Sequence, residues 1–164
     1  MYSQIQYLKH FLTATNQHGV HSPFVYDYIT KCLYKKSNGS SSKSEKVLLK
    51  SIPYFSVGNF KIISKDSQIK KLVQKEFGLK ASQEGSLDLI YQDIPVVDFL
   101  SIHQNNINYD TVILIDDIHK NKDATGIWET LRHDERVTVS IDMFYCGLLF
   151  FRKEQVKEHF KIRI

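Results

Sequence analysis

The run Thr111 to Ile115 (TVILI) constrains this chain more than any other segment. Five consecutive apolar or β-branched residues bounded by polar ones read as a strand covered on both faces, the pattern of a central parallel strand. Such a strand needs neighbours on both sides and helices above and below it. The surrounding sequence supplies them in alternation. Phe60 to Ser64 (FKIIS) reads as a strand; Asp66 caps a helix carrying Ile69, Leu72, Val73 and Phe77 that stops at Gly78. Leu87 to Tyr91 (LDLIY) is the next strand, followed by a helix that starts near Pro95 and includes Val96, Phe99 and Leu100. After TVILI, a helix carries Ala124, Ile127, Trp128 and Leu131, and the strands Val137 to Met143 and Gly147 to Phe151 form a hairpin around Phe144 to Cys146. The order β-α-β-α-β-α-β-β predicts an α/β fold: a reduced Rossmann-like, mostly parallel sheet ending in an antiparallel hairpin.

Two helices precede this sheet. Ile5, Leu8, Phe11 and Leu12 make an apolar stripe over residues 2–14, and Ser22-Pro23 opens a second helix to residue 34 with Val25, Ile29, Cys32 and Leu33 on one face. Both stripes are expected to pack on the sheet. Residues 35–45 contain KKSNGSSSKS, without an apolar anchor, and read as a flexible linker, with 37–44 mobile. Val47, Leu48, Leu49 and Ile52 then suggest a short helix, with a turn from Pro53 to Gly58. Charge is uneven along the chain. Residues 35–80 hold eleven lysines against Glu45, Asp66 and Glu76, whereas residues 81–164 hold fourteen acids against nine lysines and arginines. The lysines read as a solvated surface, with an anion or nucleic acid as the competing reading. Cys32 and Cys146 are expected as buried, reduced thiols.

In open α/β sheets ligands sit beyond the carboxyl ends of the strands. The residues there are acidic: Asp93 after LDLIY, and Asp116 and Asp117 after TVILI, with His119 two residues on. Three carboxylates on one edge are candidate oxygen ligands for Mg²⁺ or Ca²⁺, and His119 is a candidate general base. The alternative is that Asp116 and Asp117 cap a turn and face water. His18 and His21 flank a turn and are read as fixing the entry to the second helix, and Trp128 as core.

These same segments carry a family resemblance. LDLIYQD, TVILIDDIHKNKDATGIWETL, VTVSIDMFYCGLLFFRKEQVKEHFKIRI and the N-terminal NQHGVHSPFVYDYITKCLY resemble class I S-adenosylmethionine (SAM) dependent methyltransferases of Bacteroidetes-type bacteria. The resemblance implies a Rossmann-like sheet with a reversed last strand and a helical extension before it. Related catechol-type O-methyltransferases bind a metal through an aspartate after the fourth strand and an Asp-Asn pair after the fifth. Asp93 and Asp116 match the first two of these ligands, while Asp117 replaces the asparagine. The chain departs from the family at the cofactor. Its seven glycines, Gly19, Gly39, Gly58, Gly78, Gly85, Gly126 and Gly147, include no GxG, and FKIIS is followed by Lys65-Asp66-Ser67-Gln68. A glycine turn is needed because only glycine lets the backbone approach the cofactor so closely. No acid ends a following strand to hold the ribose, and the family's Asp-Gly-Asn-His becomes Asp93-Ile94-Pro95-Val96.

The expectation is therefore one compact unit: a helical extension (1–34), the linker (35–45) and a shortened methyltransferase-like α/β domain (46–164). It is expected to be a degenerate homologue without SAM, with Mg²⁺ or Ca²⁺ at the acidic edge the one bound group open to it, acting as a binding or structural module with a homo-oligomeric or protein partner. Two alternatives compete: an active methyltransferase with an unconventional or dimer-completed cofactor site, and anion or nucleic-acid binding through the lysine-rich middle. No apolar run approaches the roughly 18 residues of a membrane span, and a cytoplasmic protein without membrane contact is expected.

Overall fold

The computed structural model describes residues 2–36, 42–78 and 85–164. Six strands form one mixed sheet in the order β1-β2-β3-β5-β4-β6, where β1 is Phe60–Ile63, β2 Leu89–Gln92, β3 Val112–Asp116, β4 Val139–Asp142, β5 Cys146–Phe150 and β6 Glu158–Lys161. β1, β2 and β3 pair in parallel. β5 alone runs the other way, antiparallel to both β3 and β4, and β6 returns parallel to β4. The α/β class, the mostly parallel sheet and the antiparallel hairpin agree with the sequence reading. The hairpin does not close the sheet, however. Its second strand inserts between β3 and β4, and β6, whose four residues are all only partly buried, adds an edge that has no strong apolar signature.

Residue alternation explains the double coverage of β3. Val112 and Leu114 enter a core with Val25, Tyr28, Ile29, Leu48 and Ile52, whereas Ile113 and Ile115 enter a second core with Phe99, Trp128 and Leu131. One face is thus covered by α2 (Pro23–Tyr28, continuing as a π-turn to Leu33) and α3 (Lys43–Tyr54), together with Ile69 and Val73 of α4 (Ser67–Phe77). The other is covered by the single turn α5 (Phe99–Ile102) and by α6 (Lys122–His133). Gly147 of β5 is required where Trp128 lies against the sheet, because a Cβ there would meet the indole ring. Trp128 is fully buried, as expected.

Three expectations are corrected. α3 begins at Lys43, inside the expected linker, because Ser42 and Glu45 form a reciprocal capping box; residues 37–41 of that linker lie outside the described residues. Pro95 does not open a helix, since Asp98 adopts a left-handed conformation (φ 57°) that delays helical winding until Phe99. The third concerns α1 (Tyr2–Thr13). Its apolar stripe does not pack on the sheet: Leu8 is 59% and Leu12 74% exposed, Ile5 and Phe11 are also exposed, and His10 is its one buried residue. The helix is held instead by the His10 contact, by Tyr7 against Phe144, and by main-chain bonds joining Thr15 to Lys161 at the end of β6 and to Arg163 beyond it. The stripe of α2 is buried at Val25, Ile29, Cys32 and Leu33 as expected. No described helix is long and apolar enough to cross a membrane.

Candidate functional site

β2 and β3 are parallel neighbours with Gln92 opposite Ile115, so Asp93 and Asp116 emerge at the same carboxyl edge, as the topology requires. Their side chains are committed to different partners. Asp93 accepts hydrogen bonds from the Lys65 N–H (2.9 Å) and the Gln92 amide (3.3 Å), tying the loop after β1 to β2. Asp116 accepts from the Ser44 hydroxyl (2.5 Å), the Tyr91 hydroxyl (3.0 Å) and the Asp117 N–H (2.8 Å). Burial raises the Asp116 pKa while these bonds oppose the rise, and burial beside Asp116 pushes the Tyr91 phenol far up. Asp117, at φ 53°, turns away and pairs with Lys120 at 2.7 Å. The three carboxylates therefore share an edge without converging. Among the described residues no group of three or more His, Cys, Asp or Glu side chains is arranged to hold a metal ion.

His119 is buried, with both ring nitrogens engaged. Its Nε2 lies 2.8 Å from Asp142 Oδ2 and its Nδ1 3.2 Å from Thr125 Oγ1, and the ring stacks on Phe144 at 5.4 Å. A general base needs a free nitrogen facing substrate, and this imidazole offers none. Asp142 is the centre of the arrangement. It is fully buried at the end of β4, where its Oδ1 lies 3.2 Å from His10 Nε2 and accepts the Phe144 N–H at 2.9 Å. Burial pushes the Asp142 carboxyl up, but hydrogen bonds from His10 and His119 outweigh it and hold the group below the usual carboxylate range. The result is a buried His10–Asp142–His119 cluster that fastens α1 to the sheet. Phe144, at φ 71°, roofs it with contacts to His10, His119 and Tyr7.

Sequence reasoning missed this cluster because His10 and Asp142 are far apart in the chain. One signal was present: β4 (VSID) and β3 (VILID) both end in aspartate at the same edge. His18 and His21 are exposed, and His18 contacts Gln17. Both cysteines are free and buried; burial pushes the Cys32 thiol up to about 11 and raises the Cys146 thiol well above its ordinary value.

Beside Asp93 the ends of β1 and β2 border a shallow hollow of about 470 Å³, with Lys61, Lys65, Lys70, Ile63 and Ile94 on its walls. In a Rossmann-like sheet a nucleotide cofactor would lie near this place. β1 is the outer strand, so the hollow is bounded by strands on one side only. Comparison with family models, curated proteins and solved structures gave no match in any of the three.

Proposed function

We propose that this chain is a shortened methyltransferase-like domain without SAM binding that serves as a binding or structural module. The observation that carries the reading is the composition of the hollow at the end of β1. It presents Lys61, Lys65 and Lys70, and its one aspartate, Asp93, is bonded to the Lys65 N–H and the Gln92 amide. SAM carries a sulfonium cation and ribose hydroxyls that call for an acid and a close backbone approach. Three cations and no glycine turn oppose both. The outer position of β1 adds support: no described strand stands beyond it to bring a ribose-binding acid. With Asp116 bonded to Ser44 and Tyr91, and His119 to Asp142, the candidate metal ligand and the candidate base are tied up in joining elements of the fold.

Isothermal titration calorimetry with SAM and with its demethylated product tests the reading. No heat of binding is expected up to about 1 mM ligand. A dissociation constant between about 1 μM and 1 mM, where working enzymes hold their substrates, would overturn it in favour of an active methyltransferase.

A further inference from the structure

Four lysines of the short stretch Lys35 to Lys50, and Arg163 from the far end of the sequence, converge on one cleft of about 390 Å³ between α2, α3 and the residues after β6. Lys43, Lys46 and Lys50 lie at i, i+3 and i+7 on α3 and so share one helical face; Lys35 approaches from the end of α2 and Arg163 from beyond β6. Leu33, Val47 and Tyr34 give the cleft an apolar wall. Main-chain oxygens orient two of the cations: Lys50 Nζ donates to the Leu33 carbonyl at 2.6 Å and Lys43 Nζ to Ile164 O at 2.8 Å. A neighbouring hollow of about 380 Å³ shares Lys35 and Lys50 and adds Lys31 and Lys36.

No Asp or Glu side chain of the described residues lines this cleft. Five lysines and arginines elsewhere are paired with acids: Lys31 with Asp27, Lys120 with Asp117, Arg132 with Glu129, Arg136 with Asp134 and Arg152 with Glu154. Among the described residues, none of Lys35, Lys43, Lys46, Lys50 and Arg163 forms a salt bridge to a carboxylate side chain. Five cations around one concavity repel each other, and burial together with the like charge of Lys46 lowers the Lys50 pKa. A multivalent anion relieves that repulsion, and the apolar wall suits a ligand with a planar or aliphatic part.

We infer that this cleft binds a small organic polyanion bearing at least two phosphate groups, of the nucleoside diphosphate class. The inference deepens the binding-module reading and rests on it, but the two fail separately: SAM binding would overturn that reading, whereas the cleft is tested with phosphates alone. Calorimetry on the full chain with inorganic pyrophosphate, ADP and sulfate, at fixed ionic strength, is expected to give binding in the order ADP, pyrophosphate, sulfate. Lys46→Gln, which removes a side chain that makes no hydrogen bond among the described residues, should weaken ADP about tenfold, as should Lys50→Gln, while Lys122→Gln on α6 should leave it unchanged. Three results would overturn the inference: no heat with pyrophosphate or ADP at millimolar concentration, equal binding of sulfate and pyrophosphate, or equal losses in the Lys46 and Lys122 variants. A single-stranded oligonucleotide that displaces ADP and binds more tightly would overturn it too, assigning the lysines to nucleic acid.

Discussion

Replacing Asp142 by asparagine tests whether the buried His–Asp–His cluster holds the N-terminal helix to the sheet. Asparagine matches the shape but keeps one acceptor oxygen, and its NH₂ faces a histidine N–H where a carboxylate oxygen had been. One buried donor is stranded and both histidines lose a charge-assisted bond, which together cost about 3 kcal/mol at pH 7. With a urea m-value of about 2 kcal/mol/M, the unfolding midpoint should fall by about 1.5 M. The difference must also depend on pH. The Asp142 carboxyl is depressed in the folded state, so its contribution is fully present above the unfolded value of about 3.9 and is lost as pH falls toward the folded value. The gap between wild type and Asp142→Asn should therefore shrink by about 1 kcal/mol between pH 5 and pH 3. Urea titrations at pH 7, 5 and 3, followed by circular dichroism, read this directly. A midpoint shift below about 0.5 M at pH 7, or a gap that is the same at pH 3, refutes the reasoning.

The same substitution at the other strand-ending aspartate should behave differently. Because burial raises the Asp116 pKa, Asp116→Asn removes a costly charge while its amide can still bond Ser44 and Tyr91, and stability at pH 7 should stay within about 1 kcal/mol of wild type; a larger loss in chemical denaturation would show that its charge is needed. Gly147→Ala drives a methyl into the Trp128 ring and should cost about 2 kcal/mol or more, with a shifted tryptophan emission maximum. Leu12→Gln on the exposed stripe of α1 should change stability by no more than about 0.5 kcal/mol, and a thermal midpoint several degrees lower would mean that the stripe is covered.

The parts legible in the sequence were those where one local rule decides the outcome. TVILI announced a strand buried on both faces, and Ser22-Pro23 and Asp66 marked helix starts that the structure keeps. The remainder depends on distant partners. β6 is a strand because β4 offers it an edge; its own sequence, EHFK, carries little apolar pattern. The stripe of α1 satisfied the period of an amphipathic helix and still faces outward, since His10, on the other side of the helix, makes the anchoring contact. At the carboxyl edge the sequence brought Asp93 and Asp116 together correctly but could not tell what each side chain would meet. Ser44 reaches Asp116 only because α3 packs over that face of the sheet, and Tyr91 because β2 pairs with β3.

The placement of β5 also governs the order in which the chain can fold. It is the sole link between the β1-β2-β3 half of the sheet and the β4-β6 half, and it is synthesised after β3 and β4. On the ribosome, β3 leaves the exit tunnel with one flank unpaired and keeps it so until Phe150 follows. During that interval its apolar edge is open to any other strand, so a chaperone that shields nascent chains should matter most between the emergence of Asp116 and that of Phe150.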